Sequence, residues 1–100
     1  MAAIESVSPQ SFTVSGELDF ANVVAIKERG IELLDKAVAK FEISLAGVTR
    51  AGSAAVSLLL SWLRYAADKG IELVFSHLPA DLFGVAQVSG IDQILPILPE

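Results

Sequence analysis

The sequence has no cysteine, so disulfides and thiol chemistry are closed to it. It has one histidine, His77, and no cysteine to join it in a metal shell, and its acids are scattered over several predicted elements. Basic residues are also few: seven Lys and Arg stand against twelve Asp and Glu, giving a net charge of −5. They are spread along the chain (Lys27, Arg29, Lys36, Lys40, Arg50, Arg64, Lys69), without a cluster that would neutralise phosphates. Neither nucleic-acid binding driven by phosphate neutralisation nor adhesion to an anionic membrane is expected on that ground. Long apolar runs are missing too. The longest, around Leu58–Leu60, falls far short of the roughly 20 residues needed to span a bilayer. Met1–Gln10 carries Glu5, Ser6, Ser8 and Pro9 and has no basic start, so no signal peptide is expected. A cytoplasmic domain without membrane insertion is the expectation.

What remains is strongly apolar. Of 100 residues, 53% are hydrophobic and the mean hydropathy is +0.59, enough for one core in one domain spanning residues 1–100. The surplus hints at apolar surface kept for a partner.

Two short strands are predicted at Ala3–Val7 and Ser11–Ser15, joined as a hairpin through Ser8-Pro9-Gln10. In the second, Phe12 and Val14 alternate with Ser11, Thr13 and Ser15, the period of a half-buried strand. From Asn22 the period becomes helical, with Val23, Ile26, Gly30, Leu33, Leu34, Ala37 and Val38 on one face. Gly30 costs that helix about 1 kcal/mol against alanine, which points to a kink or a close contact there. Phe41–Leu45 is expected as a strand buried on both faces. A second helix is expected over Ser53–Lys69, stopped by Gly70, then a strand at Ile71–Phe75. His77-Leu78-Pro79 is read as a turn, Asp81–Val88 as a short helix, and Ile91–Leu98 as a packed apolar tail. The order is β-β-α-β-α-β-α: an α/β fold with a mixed four-stranded sheet, an N-terminal hairpin leading into parallel strands, and packed helices.

On the second helix, Val56, Leu59, Leu60, Leu63, Ala66 and Ala67 form the expected core face, and Ser57, Ser61, Arg64 and Asp68 a polar stripe. Leu58, Trp62 and Tyr65 fall on the flank between, where they either cover the edge of a small domain or present a partner surface. Ser53 has four readings at the head of this helix. As a cap it would contribute about 1 kcal/mol. As a nucleophile it has neither a Gly-x-Ser-x-Gly setting nor a base beyond one turn histidine, so an enzyme is not expected. As part of a phosphate-binding loop it lacks the Gly-Lys-Ser/Thr ending. Modification and partner contact remain. "SGELDF" places Glu17 and Asp19 between a strand and a helix, where acids favour the helix N-terminus. No cofactor is implied.

Taken together, "SGELD" at 15–19, "FEISLAGVTR" leading into a small-residue turn, and "GIELVFSHLP" at 70–79 resemble the STAS family. That resemblance implies a single STAS-like domain acting by protein–protein contact. In the family's phosphorylated anti-sigma-factor antagonists the turn reads Asp-Ser-Ser/Thr-Gly-Leu-Gly, and a kinase modifies the second hydroxyl. Here the stretch is "GSAAVS": Gly52 replaces the aspartate, Ala54 stands at the phosphoacceptor position, and Ser53 matches the residue before it. "VTRAGSAAVSLLL" is similar to the branch of the family found in Mla-type phospholipid ABC transport, which sits on the cytoplasmic ATPase subunit and supports outer-membrane lipid asymmetry. That likeness implies contact with an ABC transporter ATPase subunit at the inner face of the inner membrane. Its contact residues would be Arg50, Gly52, Ser53, Ala54, Ser57, Leu58, Trp62 and Tyr65, with Glu17 and Asp19 as a secondary loop. The alternative is an anti-sigma-factor antagonist that binds an anti-sigma kinase and is regulated by serine phosphorylation.

Overall fold

The computed structural model describes residues 2–91 and 93–98. The chain runs β1 (Ala3–Ser8), β2 (Ser11–Glu17), α1 (Val23–Leu34), β3 (Lys40–Arg50), α2 (Ser53–Lys69), β4 (Glu72–Ser76) and α3 (Ala80–Val88). The four strands form one sheet in the order β1-β2-β3-β4. β1 pairs antiparallel with β2 across the Pro9 turn, while β2 with β3 and β3 with β4 are parallel. The expected order and mixed sheet are therefore present.

Each parallel step needs a crossover, and α1 and α2 supply them. Because both steps run the same way across the sheet, right-handed crossovers place both helices on one face. The burial pattern follows from this. Phe12 and Val14 of β2, Phe41, Ile43 and Leu45 of β3, and Leu73 and Phe75 of β4 are buried in one cluster with the helices. Their alternates Thr13, Ser44, Glu42 and Val74 are only half-buried. β3 is thus covered on one face, not on both as its composition suggested. On the uncovered face Ser76 Oγ donates to Glu42 Oε2 at 2.7 Å.

The sharpest packing contact joins the two crossover helices. Trp62 of α2 is fully buried, meets the Phe12 ring edge-on at 5.3 Å, and donates its indole Nε1 to the Lys27 carbonyl at 3.1 Å. A Cβ built on Gly30 would lie 2.5 Å from that indole ring. The glycine that weakens α1 locally is what lets α2 approach it, the close contact its position implied.

α1 ends at Leu34, a turn earlier than its periodicity suggested, and Val38 is 76% exposed. α2 begins and ends where expected, with Gly70 in the left-handed conformation at φ 73°. The tail packs as expected. Leu95 is buried, Phe75 N donates to the Pro96 carbonyl, and Leu98 N donates to the Phe75 carbonyl, both at 2.8 Å. Residues 96–98 thereby run along the outer edge of β4.

Candidate functional site

Of the predicted contact residues, Glu17, Asp19, Arg50, Gly52, Ser53 and Ala54 lie at the carboxyl ends of β2 and β3, where parallel strands deliver loops to a common rim. The register of this pair shifts twice near its end, between Thr13 and Ser15 and between Gly16 and Glu17. Gly16 has φ 89°, and a Cβ on Gly47 would sit 2.7 Å from Ser15 Cβ. The two glycines let the strands bend together, and Leu18 N then donates to the Arg50 carbonyl at 2.9 Å. The result is a depression of about 400 Å³ lined by Glu17, Leu18, Asp19, Phe20, Arg50, Ala51, Gly52, Ser53 and Ala54. Two loops that lie over thirty residues apart in sequence therefore share one site.

Ser53 is exposed and is the first residue of α2. The cap position itself belongs to Gly52, in an extended conformation, with no side-chain cap bond. The capping role expected of Ser53 is thus not the one it has: one residue into the helix, its hydroxyl makes no hydrogen bond to a described residue. Ala54, the next residue, is 3% exposed and lines the same depression. Arg50 ends β3, exposed, without an ion pair to a described residue.

Asp19 is occupied locally. Its Oδ1 accepts from the amides of Ala21 (2.9 Å) and Asn22 (3.0 Å), while Asn22 Oδ1 accepts from the Asp19 amide and Asn22 Nδ2 donates to the Glu17 carbonyl at 2.8 Å. This ring of bonds shapes the loop before α1, as an acid near a helix start does. It also holds Phe20 outward, 78% exposed on the rim. Sequence reasoning missed Phe20. The signal was an aromatic lodged between Asp19 and Asn22, two residues that prefer to bond the backbone beside them.

Leu58 and Trp62 correct the sequence reading. They are 1% and 0% exposed, so neither offers a contact surface. The buried residues of α2 are Ala54, Ala55, Val56, Leu58, Leu59, Trp62 and Ala66; Val56, Leu59 and Ala66 were expected there, but the centre of the buried face lies about a quarter-turn from the centre expected. Leu60 and Leu63 are half-buried and Ala67 is exposed. The reason is Gly30: it opens room for an indole on the α1 side, and burying Trp62 there rotates the helix.

That rotation brings Ser57 and the polar stripe onto a second depression of about 400 Å³ between α1 and α2. It is lined by Lys27, Ile31, Ser57, Leu60, Ser61, Arg64, Tyr65 and Asp68. Ser57 is exposed and its carbonyl accepts from Ser61 Oγ at 3.0 Å. Tyr65 is half-buried and donates its hydroxyl to Asp35 Oδ1 at 2.6 Å, where Lys69 Nζ also binds at 2.9 Å. The Tyr65 hydrogen bond, with the bond and charge of Lys69, holds the Asp35 carboxyl below the usual carboxylate range. The same bond to Asp35 raises Tyr65 and Lys69.

A mixed sheet in the order β1-β2-β3-β4 with its crossover helices on one face is the fold of several anti-sigma factor antagonists. Solved structures with this fold include a putative anti-sigma factor antagonist from Thermotoga maritima (17% identity, TM-score 0.78, covering 99% of this chain and 86% of that one). An antagonist from Mycobacterium paratuberculosis is similar (17%, 0.77, covering 100% and 86%). So is unphosphorylated SpoIIAA (19%, 0.74, covering 100% and 90%). No curated protein matches the sequence. The family model "Mlab, STAS domain" matches residues 3–99, and the chain belongs to the family of MlaB-type STAS domains. Among the described residues no helix is long and apolar enough to cross a membrane.

Proposed function

We propose that this STAS domain is a non-enzymatic subunit that docks, through the turn Arg50–Ser57, on the ATPase subunit of an Mla-type phospholipid ABC transporter. It would act at the cytoplasmic face of the inner membrane, supporting the transporter's assembly or activity in outer-membrane lipid asymmetry. The observation that carries the reading is the pair Ser53 and Ala54: an exposed, unengaged hydroxyl at the helix start, followed by a buried methyl where a phosphoacceptor would be. Such a turn is a constant surface and has no switch built into it. Backbone donors at the start of α2, the small residues Gly52 and Ser53, and the aromatic rim residue Phe20 suit close approach by a partner.

Ser53→Arg places a long charged side chain on that surface without touching the core. Co-purification with the transporter's ATPase subunit should be lost while the melting temperature stays near that of the wild type. Retained co-purification refutes the reading. The fold likeness to anti-sigma factor antagonists supports a second reading, in which the partner is an anti-sigma kinase. Intact mass after incubation with cell extract and ATP separates the two, because phosphate on Ser53 supports only the second.

A further inference from the structure

The seven cations of this acidic chain are not used alike. Three are paired: Arg29 with Glu32 at 3.7 Å, Lys40 with Glu72 at 3.5 Å, and Lys69 with Asp35 at 2.9 Å. Lys27, Lys36, Arg50 and Arg64 make no ion pair with a described residue. Three of these four line the two depressions that border α2. Arg50 lines the depression at its start, and Lys27 and Arg64 line the groove that α2 forms with α1. Asp68, one turn beyond Arg64 in that groove, does not pair with it. The remaining lining of the groove is hydroxyl (Ser57, Ser61, Tyr65) and aliphatic (Ile31, Leu60). Lys27 is positioned by the fold itself, because its carbonyl accepts the Trp62 indole hydrogen bond that clamps α1 to α2.

We infer that the α1–α2 groove, which begins at Ser57 one turn along α2 from Ser53, receives a partner segment that carries carboxylates beside an apolar side chain, with Lys27 and Arg64 binding the carboxylates and Ile31 and Leu60 the apolar group. The inference rests on the docking reading and assigns the chemistry of the partner's surface. Charge complementarity selects the occupant. On a body of net charge −5, a basic partner would find acids over most of the surface, and this face is the one where unpaired cations gather. Cations left unpaired in the free domain bind carboxylates without first breaking an internal bridge.

The test uses the full chain and the Mla-type ATPase subunit of the same cell, with affinity measured for wild type, Arg64→Lys, Arg64→Ala, Arg64→Glu and Lys27→Glu/Arg64→Glu. Affinity should follow charge rather than size. Arg64→Lys stays within about threefold, Arg64→Glu falls about tenfold or more, and the double reversal falls further. Both positions lie at the surface of α1 and α2, and unchanged melting curves will show that the variants fold. Charge reversals that leave affinity unchanged or raise it overturn the inference. Ser53→Arg in the same series tells the two failures apart. If it abolishes binding while the reversals do not, the turn docks and the acidic partner segment is refuted. If it binds normally while the reversals fail, the groove docks and the turn does not. A chain that binds no ATPase subunit overturns both.

Discussion

At the scale of single residues, Gly30 and Ser53 show how neighbours reassign a side chain's role. Replacing a mid-helix glycine with alanine ordinarily stabilises by about 1 kcal/mol. At Gly30 the added methyl would enter the Trp62 ring, and overpacking of this kind costs about 1–3 kcal/mol, so Gly30→Ala is expected to lower the urea midpoint. Ser53 gives the opposite result. Losing a true N-cap costs about 1 kcal/mol, but Gly52 holds that position, so Ser53→Ala should shift stability by no more than about 0.5 kcal/mol. Asp35 provides a pH test. A carboxyl whose folded pKa lies below its unfolded one adds stability above the unfolded value and loses it as pH falls through the folded one. The stability difference between wild type and Asp35→Asn should therefore be constant near neutrality and shrink on acidification below the ordinary aspartate range. Tyr65 and Lys69, whose pKa values are raised, contribute in the opposite sense, and their share is lost as pH rises through the folded values. Urea titrations over a pH series read both limbs. The effect will be modest, because Asp35 and Lys69 lie at the surface and Tyr65 is only half-buried.

At the scale of elements, α2 was legible in extent and misjudged in orientation. Gly70 and the apolar run set its limits, because caps and periodicity act over a few residues. Which face turns inward was not decided by the run itself. Leu60, Leu63 and Ala67 extend the apolar stripe of Val56 and Leu59 to one side as readily as Leu58 and Trp62 extend it to the other, and the choice fell to the helix beside it. Trp62→Phe isolates that choice: it keeps a ring against Phe12 but removes the donor to the Lys27 carbonyl and leaves a small void. A loss of about 1–3 kcal/mol is expected in denaturant unfolding. The β2–β3 pair teaches a similar lesson. The strands were predicted from their alternation, but the bulges at Gly16 and Gly47 that bring Glu17 and Arg50 together depend on register between distant segments.

At the scale of the whole molecule, one helical layer covers one face of the sheet, and the tail closes the outer side of β4. Leu95 and residues 96–98 protect a strand whose edge would otherwise present unpaired backbone groups. Leu95→Ala should cost about 2–5 kcal/mol and promote self-association at high concentration, read by unfolding curves and by light scattering. The proposed docking face lies elsewhere, along the start and exposed side of α2, so this variant should still bind the ATPase subunit at temperatures where it remains folded.

Element order, the mixed sheet, the limits of α2 and the family likeness followed from the sequence alone, because each depends on local period, caps and turns or on short motifs in a fixed order. The convergence of Glu17 and Asp19 with Arg50–Ala54 was only half visible: both loops were picked out, but nothing local brings them together. Two features were decided by tertiary structure. Leu58 and Trp62 went into the core, and Lys27 came to line one groove with Arg64. Each depends on how α1 and α2 meet, and that meeting is governed by the fit of one indole ring over one glycine.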